Sequence, residues 1–435
     1  MSEERRRLGV AMIGYAFMGR AHSQAWRVAP RFFDLPMTPE MTVLVGRDGA
    51  RAAAAAARLG WADAETDWRR VLERDDVGLV DICSPGSTHA EIAVAALEAG
   101  KHVLVEKPMA NTLAEAEAMA AAARAAAPSG VRAMVGFSYR RVPAVALARQ
   151  LVADGRLGTI RQVRAQYLQD WLADPDAPLS WRLDKEQAGS GALGDIGAHI
   201  VDLAQFITGQ RVVGVSAMLD TFVHERPVAE SSDGLHGTAG TERGPVTVDD
   251  AASFLARLSG GAPAVFEATR FAWGRKNAMR IEVTGSLGAV AFDFEDMNVL
   301  QYFDAVDEDL TAGFRRIVVT EPVHPYVGAW WPAGHGLGYE HAFTHQVVDL
   351  VGALAAGEQP TPSFEDGLAV QRVLDAVERS AAASSVFTQV RADDDAGTPA
   401  GSTAARAAAG SVSGSATAGG TAVGSGDAAE PDLTQ

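Results

Sequence analysis

Short apolar runs return at intervals through the first third of the chain, at residues 8–13, 42–45, 79–83, 102–106 and 132–137. Between them lie segments with helical spacing, such as residues 51–59 and 91–99. Short runs without strict alternation mark strands buried on both faces. A strand-helix-strand rhythm packs as a parallel sheet with right-handed crossovers, so a parallel α/β unit is expected up to about Tyr139. In such a sheet ligands bind outside the carboxyl ends of the strands, which makes each residue ending an apolar run a candidate for function.

After Tyr139 the rhythm changes. Helical segments at 144–153 and 193–207 flank an alternating run at 160–169, and strand-like runs then follow at 212–219, 251–258, 264–269, 280–284, 290–294 and 299–303. Consecutive strands with few helices between them predict a largely antiparallel sheet, open on one face and covered by helices on the other. Two helical segments, 338–356 and 364–383, close the ordered part. The Gly-, Ser- and charge-rich stretch 225–247 reads as a mobile loop. From residue 392 the chain is Ala, Gly, Ser and Thr without an aromatic residue, a composition that cannot offset the entropy of ordering and is expected to be disordered.

Composition narrows the partners. The 435 residues exceed the roughly 250–300 that one core supports. A formal charge of -17 excludes an extended nucleic-acid or anionic-membrane footprint, which needs clustered Lys and Arg. Cys83 is the only cysteine and lies inside an apolar run, so no disulfide framework exists and a reducing cytoplasm is expected. The apolar run at 8–13 is too short for a signal-peptide core, and no run approaches the roughly 20 residues of a membrane span.

The first run leads into Gly14-Tyr15-Ala16-Phe17-Met18-Gly19, which opens a helix. Gly14 allows a tight turn, Gly19 allows close packing of helix on strand, and the free amides at Ala16, Phe17 and Met18 suit a pyrophosphate. Ala16 stands where the middle glycine of a dinucleotide fingerprint is usual. The second run ends in Gly46-Arg47-Asp48. An acid there would accept the ribose hydroxyl of NAD, whereas an arginine pairs with the 2′-phosphate of NADP. Gly46 occupies the place of the acid and Asp48 reads as a helix cap, so Arg47 tips the expectation modestly toward NADP over NAD. Ser84, Pro85 and His89 follow the run ending at Cys83 and are expected on the second wall of the nucleotide cleft. Thr88 and His89 equally suit a helix cap and a satisfied helix-entry histidine.

The run 102–106 ends in Glu106-Lys107-Pro108 and delivers a lysine to the same edge. A second charged cluster lies in Gly189 to Asp202, where Asp195 and His199 are four apart and share one face of a helix. A carboxylate at that spacing can orient the imidazole or raise its pKa. Oxidation of a secondary alcohol needs a group to accept the hydroxyl proton, which histidine can do, while a lysine ammonium steadies the developing alkoxide. Lys107, Asp195 and His199 form such a set. As metal ligands the Asp and His lack a third partner, so no metal is expected. A plain structural ion pair is the other reading, against which stands the glycine-rich lead-in, since it brings backbone close to something.

Together these residues resemble the Gfo/Idh/MocA family of sugar and polyol dehydrogenases. The resemblance spans residues 7–389 and is carried by the Gly14 to Gly19 turn, Ser84-Pro85, Glu106-Lys107-Pro108, Ser180-Trp181-Arg182 and the Gly191 to His199 segment. It implies a Rossmann domain over 1–139, an open-sheet α+β substrate domain over 140–391, and Lys107, Asp195 and His199 as the catalytic set. It places Glu106 beside the cofactor and implies a cis peptide before Pro108 and a homo-oligomer. Within the family, Tyr139-Arg140-Arg141-Val142-Pro143, Tyr167-Leu168-Gln169-Asp170-Trp171 and Ser180-Trp181-Arg182-Leu183 look most like levoglucosan dehydrogenases, which implies that Tyr139, Gln169 and Arg182 face a sugar. Those relatives use NAD with an acid near the second strand end, so Gly46 and Arg47 are a departure. The expected activity is hydride transfer between NAD or NADP and a secondary hydroxyl of a sugar, anhydrosugar or cyclitol. The rival readings are a nicotinamide-dependent glycoside hydrolase and a nucleotide-sensing regulator on the same fold.

Overall fold

The computed structural model describes residues 5–233 and 236–391; the segment expected to be a disordered tail, 392–435, lies outside them. The first sheet contains Arg7–Ile13 (β1), Thr38–Val45 (β2), Asp63–Glu65 (β3), Leu79–Ile82 (β4), His102–Val105 (β5) and Ala133–Val135 (β6). All pairings are parallel and the order is β3-β2-β1-β4-β5-β6, so the chain reverses direction across the sheet between β1 and β4. That switch point opens the crevice in which a dinucleotide lies.

Helices cover both faces: Phe17–Phe32 (α1), Gly49–Leu59 (α2), Trp68–Leu72 (α3), His89–Glu98 (α4) and Leu113–Ala126 (α5). The Asp48 side chain accepts from the Arg51 amide and caps α2, while Thr112 and Glu115 form a reciprocal capping box on α5; such caps stabilise a helix by about 1 kcal/mol each. Alternate strand residues feed opposite layers. Ala11, Ile13, Val43 and Val45 face a core shared with α4 and α5, whereas Leu8, Val10, Met12 and Leu44 meet Trp26 and Ala29 of α1.

The second sheet contains Ile160–Leu168 (β7) and Val212–Asp220 (β8); Glu225–Asp233 (β9) and His236–Pro245 (β10) form a separate hairpin. The large sheet continues with Ala251–Leu258 (β11), Pro263–Thr269 (β12), Ala278–Gly285 (β13), Gly288–Asp293 (β14), Val299–Asp304 (β15), Arg315–Val318 (β16) and Thr388–Gln389 (β17). Its order is β16-β15-β14-β13-β7-β12-β11-β8-β17, and only β7 and β12 pair in parallel. Inward residues Val163, Ala165, Phe254, Phe266, Ile281 and Val283 are buried; outward Arg164, Leu255, Val265 and Glu282 lie on the open face. Each fully buried Val, Ile or Phe contributes roughly 1.5–3 kcal/mol. The covering helices are Pro143–Ala153 (α6), Ala198–Thr208 (α8) and Phe364–Ala382 (α10), while the short Lys185–Ala188 (α7) lies beside the 3-10 turns Gly86–Thr88 and Trp181–Leu183.

Two features differ from expectation. The stretch read as a mobile loop is the β9-β10 hairpin, anchored where the buried Arg226 guanidinium donates to the carbonyls of Leu172 (2.6 Å) and Asp174 (2.7 Å). Helix Tyr339–Ala356 (α9) does not stay with the second sheet: Phe343, Val347, Leu350 and Leu354 pack into the α1 layer of the first.

Candidate active site

The nucleotide turn is built by backbone. Gly14 has φ +97°, and a Cβ there would lie 2.8 Å from the Cys83 carbonyl; a Cβ on Gly19 would lie 2.1 Å from the Gly14 oxygen. Both glycines are therefore required by close approach. Ala16 is the N-cap of α1 and supplies no side-chain hydrogen bond, which leaves the first-turn amides free for an anion, and Phe17 is partly exposed beside them. These features fit the pyrophosphate of a dinucleotide. Met18 packs against the α1 layer, so only its amide is available to a ligand.

At the second strand end, Tyr15 lies against Gly46, where a Cβ would meet its ring at 2.0 Å. An acid at Gly46 has no room unless Tyr15 moves. Asp48 is engaged as the α2 cap, and Arg47 is exposed. On the opposite wall the Ser84 hydroxyl bonds to Thr88 at 2.6 Å, and Pro85 is the N-cap of a short 3-10 turn. His89 is buried, with Nδ1 3.1 Å from the Pro108 carbonyl and Nε2 2.9 Å from the Ser84 carbonyl. It turns inward and brackets the two loop segments, as a satisfied helix-entry histidine does.

The Lys107–Pro108 peptide is cis. Lys107 Nζ donates to the Asp195 carbonyl at 2.7 Å and lies 3.4 Å from its Oδ1. Arg270 Nη1 lies 3.4 Å from Asp195 Oδ2, so the carboxylate sits between two cations. Burial raises the Asp195 pKa, but Lys107, Arg270 and Arg182 outweigh it and bring it down to about 2. The carboxylate is ionised at neutral pH.

Residues Leu193–Gly197, which include Asp195, form a π turn that leads into α8, which carries His199, and the two side chains interact electrostatically. The His199 ring lies on Tyr139, with centroids 4.4 Å apart and planes at 20°, and meets Phe137 edge-on. Burial and the Lys107 charge push its pKa well below the usual histidine value, with Asp195 offsetting part of the shift. His199 is thus a neutral imidazole, able to accept a proton.

The three residues expected on the sugar are tied into networks. Tyr139 is buried and its hydroxyl bonds to Tyr167 Oη at 2.8 Å; Tyr167 donates to Asn277 Oδ1 at 2.8 Å. Gln169 donates to the same Asn277 oxygen at 2.8 Å and accepts from Trp171 Nε1 at 2.9 Å. The Arg182 guanidinium lies over the Trp181 ring at 4.4 Å. Tyr139 therefore backs His199, and Gln169 is orientated by its neighbours. Asp249 accepts from the amides of Gly191 and Leu193, both at 2.7 Å, and a Cβ on Gly191 would lie 1.7 Å from the Asp249 oxygen. The backbone that the glycine-rich lead-in approaches is Asp249.

Sequence reasoning missed Arg270, Asn277, Asp249 and Tyr339, whose ring lies 6.1 Å from Phe17 and 6.4 Å from Tyr139. Arg270 directly follows β12, so the strand-end rule used for Lys107 was a usable signal for it; the others carry no local mark.

A dinucleotide cradle facing an ionised carboxylate, a fixed ammonium and a neutral histidine belongs to the NAD-binding oxidoreductases, and that is the class of this protein. Comparison with known proteins narrows it. Residues 8–137 match the family described as "Oxidoreductase family, NAD-binding Rossmann fold", and residues 145–291 match the GFO/IDH/MocA C-terminal domain. Levoglucosan dehydrogenase of Pseudarthrobacter phenanthrenivorans is 42% identical over 383 residues, covering 87% of this chain and 97% of that protein. A solved structure of a levoglucosan dehydrogenase in complex with NADH and levoglucosan superposes with a TM-score of 0.83 at 41% identity, over 89% of this chain and 100% of the other. An oxidoreductase domain protein from Kribbella flavida is 68% identical with a TM-score of 0.85, over 89% of this chain and 100% of that one. The chain belongs to the Gfo/Idh/MocA oxidoreductase family. Among the described residues no helix is long and apolar enough to cross a membrane.

Proposed function

We propose that the protein oxidises a secondary hydroxyl of a pyranose or anhydropyranose, with levoglucosan as the reference substrate. The observation that carries this is the Lys107–Asp195 contact at the carboxyl edge of the dinucleotide sheet, beside a histidine that is neutral and buried. The likeness to levoglucosan dehydrogenase supports the substrate class.

A nicotinamide bound in the cleft supplies the acceptor for the two electrons and the carbinol hydrogen. The protein does the rest. His199 accepts the hydroxyl proton, and its low pKa keeps it ready to do so at neutral pH. The Lys107 ammonium, held by the Asp195 carbonyl, directs an N–H at the same oxygen and stabilises negative charge as it develops. Asp195 balances Lys107 and Arg270 and supports the basicity of His199. Arg182 and the orientated Gln169 supply hydrogen bonds to the remaining hydroxyls, and Tyr139 fixes the His199 ring from behind. Residues 1–139 hold the nucleotide through Gly14, Ala16, Phe17, Met18, Gly19, Ser84, Pro85 and Glu106, with His89 bracketing the wall; residues 140–391 hold the sugar.

The matched family is described as NAD-binding. We extend the proposal to NADP, because no acid occupies the second strand end and Arg47 is exposed there. The working form is a cytoplasmic homo-oligomer. The test is a spectrophotometric screen of NAD and NADP, in parallel, against pyranoses, anhydrosugars and inositols, with Arg47→Ala alongside. Cofactor reduction with an anhydropyranose, and a KM for NADP raised about tenfold in R47A, are expected. Tight dinucleotide binding without any reduction overturns the reading in favour of a regulator. Sugar release from an aryl glycoside without net reduction overturns it in favour of a hydrolase.

A further inference from the structure

Behind Lys107 lies a cluster of buried charge of which only Glu106 enters the reading above. His22, on the second turn of α1, is 1% exposed. Its Nδ1 is 2.9 Å and 3.0 Å from the two carboxylate oxygens of Asp81 on β4, and its Nε2 is 2.9 Å from Glu106 Oε1 at the end of β5. Asp81, 0% exposed, also accepts from Trp26 Nε1 at 2.7 Å and lies 3.6 Å from Cys83 Sγ. Every neighbour other than His22 that contacts Asp81 is a donor, which is the environment of an ionised carboxylate. The remaining Glu106 oxygen, Oε2, accepts the backbone N–H of Lys107 at 3.2 Å. Glycine at 136 makes room for this carboxylate, since a Cβ there would lie 2.7 Å from Oε1.

An ionised carboxylate can only accept hydrogen bonds. A ring with carboxylates on both nitrogens satisfies both by carrying both protons, and one buried imidazolium then lies between two carboxylates. The groups facing the ring from each packed element are Asp81 and Cys83 from β4 and its following loop, Glu106 from β5, and the uncharged Phe343 of α9, 5.5 Å away. Burial opposes the charge, yet Asp81, followed by Cys83, holds the His22 pKa well above the usual value.

We propose that His22 is a positioning residue, an imidazolium clamped between Asp81 and Glu106 that locks the nucleotide-turn helix to the strand end carrying Lys107. The inference rests on the reading of Lys107 as part of the reacting site. Glu106 is the connecting part: one oxygen is held by His22 and the other holds the Lys107 amide. The arrangement couples the helix that receives the dinucleotide to the lysine that meets the substrate. It also explains why a fully buried helix face carries a histidine next to Trp26, where an apolar residue would pack without charge.

The first measurement needs no variant. In the full chain labelled with 15N-histidine, both His22 ring nitrogens should report the protonated form from about pH 6 to about pH 8, the resonance being assigned by its loss in His22→Gln. In H22Q, kcat should fall about tenfold or more, while dinucleotide Kd changes less than about threefold. The rate is taken per nucleotide-binding site, so that loss of folded protein does not count. A neutral ring over that range overturns the proposal, as does a wild-type kcat per site in H22Q. Stoichiometric zinc in the purified protein also overturns it, since His22, Asp81 and Cys83 lie close enough together to hold an ion. Lys107→Ala measured in parallel separates the two claims: normal turnover in K107A sinks the catalytic reading, whereas a dead K107A beside a normal H22Q sinks only the role of His22.

Discussion

Replacing Asp195 with Asn keeps the shape of the side chain and removes its charge from between Lys107 and Arg270. The Lys107 hydrogen bond to the Asp195 carbonyl, 2.7 Å, is made by backbone and survives. The lysine therefore stays anchored, and the variant reports on charge alone. The lowering of the Asp195 pKa from 3.8 to about 2 corresponds to about 2.4 kcal/mol. With the side chain 30% exposed, solvent screening reduces this to between about 1 and about 2 kcal/mol. Because the folded-state pKa is depressed, this stability is fully present above the unfolded value and is lost as pH falls through the folded one. Asp195→Asn should thus unfold more readily in denaturant at neutral pH and match the wild type near pH 2. The effect on turnover is larger. Asp195 supports the basicity of His199, so its loss weakens the base and leaves the Lys107 charge unbalanced. Such terms contribute about 10²-fold, or roughly 2.7 kcal/mol of barrier. The assay is kcat against pH with saturating sugar and NAD. The plateau should drop about 100-fold and the acid limb should move to lower pH. A plateau within threefold of wild type, or an acid limb moved upward, refutes the reasoning.

Other consequences are as direct. Lys107→Ala removes the ammonium from the reacting oxygen, and kcat should fall by roughly two to four orders of magnitude with dinucleotide Kd little changed, as fluorescence titration would show. His199 must be neutral to accept a proton and its pKa is well below the usual value. The wild-type rate should therefore stay flat from neutral pH down past about 6.5 and fall only in more acidic buffer; a limb centred near 6.5 would contradict this. Gly14→Ala places a Cβ 2.8 Å from the Cys83 carbonyl at a φ of +97°. Calorimetry should show dinucleotide affinity weakened about tenfold or more, from roughly 1–2 kcal/mol of backbone strain and the contact.

Much of this was legible in the chain because it is local. The turn from Gly14 to Gly19 and the delivery of Lys107 at the end of β5 follow from apolar runs and the residues that end them. The alternation along Ile160–Leu168 likewise announces a half-covered strand. What could not be read is what depends on distant partners. The π turn at Leu193–Gly197, which carries Asp195, has no local mark in the chain. That turn is held where Asp249, nearly sixty residues on, accepts the amides of Gly191 and Leu193. The hairpin at 225–245 is polar and glycine-rich, and its anchors, the Arg226 guanidinium and the Pro227 carbonyl that accepts from the Leu179 amide, find their partners about fifty residues earlier. Helix α9 has an apolar stripe that would suit either sheet, and only the assembled fold shows it beside α1. Tyr139 was placed on the sugar by resemblance, whereas its hydroxyl is turned to Tyr167 and its ring to His199.

The central claim is that a sugar carbon gives its hydrogen directly to a nicotinamide while His199 takes the hydroxyl proton. Levoglucosan deuterated at its carbinol carbons, incubated with the protein and NAD, tests it most directly by mass spectrometry of the reduced nucleotide. One deuterium per reduced nicotinamide is predicted, with none in His199→Ala. Reduced nucleotide without deuterium, or sugar turnover with no reduced nucleotide at all, would contradict the account.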